Sequence, residues 1–173
     1  LHAGQSPSEF RRIRDTQGQS TIRYMERVGL LGRDFMIGHG MFLAQTNDVG
    51  TIPSDELALL ADSGTSVVHL PWVKMRQGTL MNSYAKFLRA GVNVALGTAT
   101  PFPHRVPGFS LPAELAMYVD AGIRPVDALR SATSVGARVL GLAGRVGRIT
   151  AGLEADLIVV AGNPIEKIED IGS

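Results

Sequence analysis

The chain contains no cysteine. That removes disulfide frameworks, thiolate zinc sites and cysteine nucleophiles, and it fits a reducing, cytoplasmic setting. No apolar run approaches the ~20 residues needed to cross a bilayer, so a membrane is not an expected partner. An excess of one charge is also missing. Lys and Arg number 17 against 16 Asp and Glu, a net charge of +1. No Lys/Arg run forms a patch that could track phosphates, so nucleic acid is not an expected partner either. No G-x-G-x-x-G motif follows any apolar run, which leaves a dinucleotide-binding sheet without support. Residues 63–113 hold no Asp or Glu at all. The first residue is Leu1, with no initiator Met and no signal peptide before it, so the sequence reads as starting mid-chain, as a fragment or a processed product.

What is present is a repeat. The 173 residues are 45% hydrophobic and 19% charged, enough for one globular domain with a real core. Four apolar runs end in similar ways: Leu1-His2, Phe35-Met36-Ile37-Gly38-His39, Ser66-Val67-Val68-His69 and Val92-Asn93-Val94-Ala95-Leu96-Gly97-Thr98. The spacing of these ends is 37, 30 and about 30 residues, the length of a βα unit. Ser6-Pro7-Ser8-Glu9 is a helix start, with Ser6 as cap, Pro7 at the first helical position and Glu9 completing a capping box. Ser54, Asp55 and Glu56 open a second helix, with Leu57, Leu60 and Ala61 as its apolar stripe and Gly64 as its stop. Leu80, Tyr84, Phe87 and Leu88 form a third stripe, closed by Gly91.

The strands are apolar throughout instead of alternating, as parallel strands covered on both faces are. The fold class that follows is α/β, a TIM-type (β/α) barrel. Such a barrel needs eight units, and this chain has room for four, which read as strands five to eight of a partial barrel. After Pro112 the pattern changes. Two helices are expected, over residues 111–121 and 125–140, the second with Leu129, Ala132, Gly136, Val139 and Leu140 on one face. Short strands are then expected at 147–149 and 155–160, forming a small C-terminal β appendage. The domain division is therefore 1–145 for the half-barrel and 146–173 for the appendage.

Catalytic groups of a parallel barrel gather at the C-terminal ends of its strands. His2, His39 and His69 sit there. Imidazole is a ligand for divalent metals and the usual acid or base near neutral pH. A lone histidine at a strand end is as a rule a hydrogen-bonded surface residue. Three at equivalent points of a repeat ask for a common explanation, although all three depend on the barrel reading. His104 reads as a loop histidine. Trp72, Lys74 and Arg76 follow His69 into a loop at the mouth, where Trp72 could stack on a flat ring and Arg76 could pair with an anion. Loop packing and solvated charge are the simpler explanation for each of the three.

Taken in order, Leu1-His2-Ala3, Gly38-His39-Gly40, Val68-His69-Leu70-Pro71 and Ala90–Thr98 resemble the amidohydrolase superfamily, nearest its cytosine deaminase-like and triazine hydrolase-like branch. The tail is similar as well, through Ala128–Thr133, Ala137–Leu142, Gly147–Ile149 and Gly152–Val160. The resemblance implies a metal-dependent hydrolase of carbon–nitrogen (non-peptide) or related bonds, working through a metal-activated water. It implies His2 as the strand-five metal ligand. His39 matches the strand-six histidine, which binds metal or orients the attacked group, and His69 a strand-seven catalytic position. Zinc is the leading metal, with iron the alternative. A small-molecule substrate is implied, with Gln5, Trp72 and Arg76 on its side of the site.

Three departures accompany the resemblance. The family's strand-one His-x-His is absent, so tight metal binding by this chain alone is not expected. Strand eight of the family ends in Gly-Thr-Asp, where the aspartate binds metal and shuttles a proton. Here the run is Gly97-Thr98-Ala99, and the acid-free stretch 63–113 allows no alternative carboxylate. Loss of a positioned proton shuttle slows a reaction ~10²–10⁴-fold. Finally, aminohydrolase members often carry Glu three residues after the strand-five histidine, where this chain has Gln5. Gln5 cannot donate and accept protons in that way, so deamination by that route is not the expectation and other hydrolyses remain open. A non-catalytic scaffold that binds a small molecule or a partner chain is therefore the competing expectation. So is pairing with the missing N-terminal half-barrel or oligomerisation, since a half-barrel exposes sheet edges.

Overall fold

The computed structural model describes residues 1–43, 52–71, 84–100 and 106–172. Trp72, Lys74, Arg76, Leu80 and His104 lie outside the described residues. Four strands, β1 (His2–Ala3), β2 (Met36–His39), β3 (Ser66–His69) and β4 (Asn93–Leu96), form one sheet in the order β1-β2-β3-β4. The β1–β2 and β2–β3 pairs are parallel, with His2 opposite Gly38 and Ile37 opposite Val67. Strands laid side by side in chain order, without reversal, follow the progression of a barrel wall. A doubly wound sheet reverses at a switch point.

Helices fill the connections. Helix α1 (Pro7–Gln17) begins as the sequence indicates: the Ser6 side chain accepts the Glu9 N–H, Pro7 opens the helix, and Gly18 ends it in the left-handed region at φ 71°. The sequence offers a start for one helix between β1 and β2, but the structure has two. The second, α2 (Thr21–Arg27), is capped by Ser20, which accepts the Arg23 N–H at 3.1 Å. Helix α3 (Ser54–Ser63) ends at Gly64, φ 74°, and buries Leu57 and Leu60 as its stripe requires. Helix α4 (Tyr84–Arg89) buries Phe87 completely, and Gly91 follows it.

The chain divides into two compact units, Leu1–His69 with Gln77–Val94, and Leu70–Arg76 with Ala95–Ser173. The core of the first is built from Ile22, Ile37, Leu43, Leu60, Val67 and Phe87, all fully enclosed. In the second, α5 (Ser110–Asp120), α6 (Pro125–Ala132), α7 (Ser134–Val139) and a 3-10 turn (Ile168–Gly172) pack around Leu115, Tyr118 and Ile168.

Two expectations for this second unit need correction. The single helix expected over 125–140 is broken at Thr133, whose φ of −121° and ψ of −94° are not helical. Thr133 Oγ1 donates to the Leu129 carbonyl at 2.7 Å, and Ser131 Oγ to that of Ala128 at 2.6 Å. Hydroxyls in the run Ser131–Ser134 thus compete for the helix carbonyls. The buried face is Ala128, Ser131 and Ala137, while Leu140 is exposed. The strands expected at 147–149 and 155–160 form no ladder among the described residues. Ile149, Ile158 and Val159 are 88%, 75% and 97% exposed. A strand exists only through a paired neighbour, and none of the described residues supplies one here. No helix among the described residues is long and apolar enough to cross a membrane.

Burial makes the packing of α3 testable. Leu60→Ala is expected to lower the unfolding free energy by about 2–5 kcal/mol, and the exposed Asp62→Ala to change it by less than about 0.5 kcal/mol. Urea denaturation of the protein measures both, and equal small shifts would place Leu60 outside the core.

Candidate functional site

The geometry begins with a missing side chain. Gly38 lies opposite His2 in the parallel ladder, and its N–H donates to the Leu1 carbonyl at 2.8 Å. A Cβ at position 38 would stand 2.8 Å from His2 Cδ2, inside van der Waals contact. Glycine here leaves the space in which the His2 imidazole lies against β2. The His2 and His39 rings then meet edge to face, centroids 5.0 Å apart and planes at 71°. His2 is exposed, whereas His39 is buried.

His39 ends β2 in the left-handed region, φ 77°, and Gly40 follows at φ 61°. For a residue with a Cβ this conformation costs about 1–2 kcal/mol. The sharp exit it makes turns three successive N–H groups back onto Ala3 of β1 and Gly4 after it. Gly40 N donates to the Ala3 carbonyl at 3.1 Å, and Met41 N and Phe42 N donate to that of Gly4 at 3.0 and 2.9 Å. The ends of β1 and β2 are thereby fastened together beyond the last ladder pair.

His69 closes β3 one strand further on and is buried. Burial first, and the nearby His39 charge second, push its pKa from 6.5 down to about 3, against a hydrogen bond to the His39 backbone that acts the other way. His69 is therefore a neutral imidazole throughout the physiological range. Its neighbourhood with His39 joins the ends of three consecutive strands.

The remaining candidates divide as follows. Gln5 is exposed just beyond β1, with its backbone N–H donating to Glu9 Oε2 at 3.0 Å. Ala99 lies three residues after β4, at φ 51°. That is a second left-handed position in a residue with a Cβ, and Asp and Asn tolerate this region better than Ala. Beside it, the Thr98 and Thr100 hydroxyls are 3.0 Å apart. The space left by Gly38 and the exit turn at His39 were not read from the sequence. The glycine before the histidine is visible there, but its significance depends on the register with β1.

A divalent metal fits part of this arrangement. The imidazoles of His2 and His39 are suitable donors, brought together in a space that a Cβ on Gly38 would fill. Among the described residues no group of three or more His, Asp or Glu converges on one point, so the remaining ligands of a full coordination sphere are not among them.

Comparison with known proteins agrees with this geometry. The sequence pattern of the amidohydrolase family matches residues 1–173. A 5-methylthioadenosine/S-adenosylhomocysteine deaminase of Syntrophobacter fumaroxidans is 31% identical over 169 residues, covering 92% of this chain and 36% of the relative. Among solved structures, an adenosine deaminase from Xanthomonas campestris with bound zinc superposes with a TM-score of 0.74 at 28% identity, over 92% of this chain and 36% of that one. A triazine hydrolase from Arthrobacter aurescens shares the fold, with a TM-score of 0.69 at 22% identity over 87% and 33% of the two chains. This chain spans about a third of the length of the relatives it matches. With a match along its whole length, and solved amidohydrolases superposing on its parallel α/β sheet, the chain belongs to the amidohydrolase family.

Proposed function

We propose that this chain is the C-terminal half, strands five to eight, of the barrel of a metal-dependent hydrolase acting on carbon–nitrogen (non-peptide) bonds of a small molecule. Residues 1–145 are the half-barrel, and 146–173 contribute to a composite β-sandwich. The exposed apolar run 155–160, which lacks a strand partner among the described residues, supports that second assignment. The observation that carries the functional reading is the pairing of the His2 and His39 rings at neighbouring strand ends. The relatives named as deaminases of purine nucleosides direct attention to C–N bonds of N-heteroaromatic rings.

In this reading His2 and His39 would hold zinc, or iron in its place, which when bound would supply Lewis-acid activation of a water and of the electrophilic carbon. Every other task falls to the chain itself. His39, fixed by the left-handed turn, holds its ring beside that of His2. His69 is kept neutral by burial, so it acts as a hydrogen-bonding group that orients the attacked substrate instead of as a cationic acid. Gln5 meets a polar edge of the substrate from the rim, with Trp72 stacking on its ring and Arg76 pairing with an anionic group. The N-terminal half of the barrel, with its strand-one ligands, is the partner that completes the site.

Ala99 favours a second reading, a scaffold that has lost catalysis and retains binding. Metal analysis of the full-length protein, with ammonia release from 5-methylthioadenosine and adenosine, separates the two. Stoichiometric zinc is expected, with affinity falling at least ~100-fold in His2→Ala and His39→Ala, since even outer partners of metal ligands contribute 10–100-fold. Zinc content indifferent to both substitutions would sink the first reading. Metal without turnover, with activity appearing only in Ala99→Asp, would establish the second. If the wild type is active, the same substitution is expected to raise turnover by up to ~10²–10⁴-fold.

The burial of His69 also sets a pH dependence. Its folded pKa lies below its unfolded value of 6.5, so in the interval between 6.5 and about 3 the unfolded chain binds the proton and the folded one does not. Stability is therefore fully present above pH 6.5 and declines as pH falls towards 3, with a slope of up to about 1.4 kcal/mol per pH unit. Urea titrations of metal-stripped protein at several pH values should show this slope, and His69→Gln should flatten it. An identical slope in the variant would mean that other groups cause the acid sensitivity.

A further inference from the structure

We infer that Glu9 is a positioning residue that clamps the Gly4–Gln5 backbone and so fixes the direction in which Gln5 is presented at the rim of the site. The inference rests on the reading of Gln5 as a substrate-facing residue.

In an ordinary capping box the carboxylate at the third helical position turns back to the N–H of the cap residue itself. Half of that arrangement is present: Ser6 Oγ accepts the Glu9 N–H at 3.2 Å. The Glu9 carboxylate reaches further back. Oε1 accepts the Gly4 N–H and Oε2 the Gln5 N–H, each at 3.0 Å. One carboxylate thus binds two consecutive peptide groups directly after β1. The carbonyl side of the same segment is held from β2, through Gly40 N to Ala3 O and through Met41 N and Phe42 N to Gly4 O.

Gly4 itself adopts φ 65°, and a Cβ there would come within 2.9 Å of Leu43 Cδ2 and 3.2 Å of Phe42 N. The segment Ala3–Gln5 is therefore fixed on both sides, by the β2 exit and by Glu9. A helix cap alone needs neither contact. Their consequence is that Gln5, although exposed, starts from a backbone with little freedom, and an ordered exposed amide forms directional hydrogen bonds at lower entropic cost.

The test uses the full-length protein with Glu9→Gln, Glu9→Asp and Asp15→Asn. The amide of Glu9→Gln keeps the shape but offers an N–H donor to one of the two N–H groups. Glu9→Asp keeps the charge at the helix start but withdraws the carboxylate by one methylene. Asp15→Asn is a control for charge on the same helix. Hydrogen exchange at the Gly4 and Gln5 amides is expected to accelerate at least ~10-fold in both Glu9 variants, with Phe10 and Ile22 unchanged, as for a local opening. Asp15→Asn should leave all four unchanged.

With 5-methylthioadenosine as substrate, KM is expected to rise ~3–10-fold with kcat within ~2-fold, the mark of lost binding that is equal in ground and transition states. In a Gln5→Ala background the Glu9 substitutions should add nothing. Unchanged exchange at Gly4 and Gln5 would overturn the inference. So would an equal KM penalty in the Gln5→Ala background, because Glu9 would then act on the fold at large. If the wild type turns over neither 5-methylthioadenosine nor adenosine, the functional reading fails, and the exchange comparison alone decides whether Glu9 fixes Gln5.

Discussion

The two-residue ladder between β1 and β2 is the constraint on which the candidate site depends. Its register puts His2 opposite Gly38 and Ala3 opposite His39. Parallel pairing sends both strands out at the same end, so the two imidazoles emerge side by side. Alternation alone would turn His39 to the opposite face from His2; the left-handed conformation of His39, φ 77°, takes its ring out of that alternation, and the two rings meet edge to face. Gly38 leaves room for this contact, because a Cβ there would stand 2.8 Å from His2 Cδ2.

Beyond the ladder, the site is held by backbone conformations that L-residues avoid. His39 and Ala99 are the non-glycine residues with positive φ among those described, and each follows or ends a strand of the sheet. Strain of this kind persists where the surroundings fix it, and it gathers at functional sites. At His39 the surroundings are evident: three N–H groups reach Ala3 and Gly4 because the chain turns there. At Ala99 the conformation is one that an aspartate holds more easily.

The sequence made the βα repeat legible because parallel strands leave a simple trace, short apolar runs at intervals of about 30 residues with capped helices between them. Ser6, Pro7 and Gly64 do what their positions indicate. The strand-end histidines were legible for the same reason, since the end of an apolar run is the end of a strand. Features created by pairing were hidden. The space over Gly38 exists only once β1 lies beside it. The target of Glu9 is set by where β2 fastens Ala3 and Gly4, not by the capping pattern. In the tail, the apolar residues within 155–160 suggest a strand, but strand character belongs to a pair, and among the described residues that segment has no partner. At Thr133 the apolar spacing outweighed a run of hydroxyl residues in the reading, whereas in the structure those hydroxyls bond back to the helix carbonyls and the helix breaks.

The electrostatics of His69 connect the fold to the chemistry. The role proposed for His69, orienting a substrate beside metal-binding imidazoles, requires a neutral ring, because a cation there would repel both a metal and any neighbouring protonated ring. Two influences enforce this, burial first and the proximity of His39 second. Both arise from the parallel sheet itself, which covers its strands on both faces and brings consecutive strand ends together. The hydrogen bond from His69 to the His39 backbone opposes them but is the weakest of the three. It fixes the ring without making it basic. Neutrality at this position is thus a property of the architecture before any metal or substrate arrives.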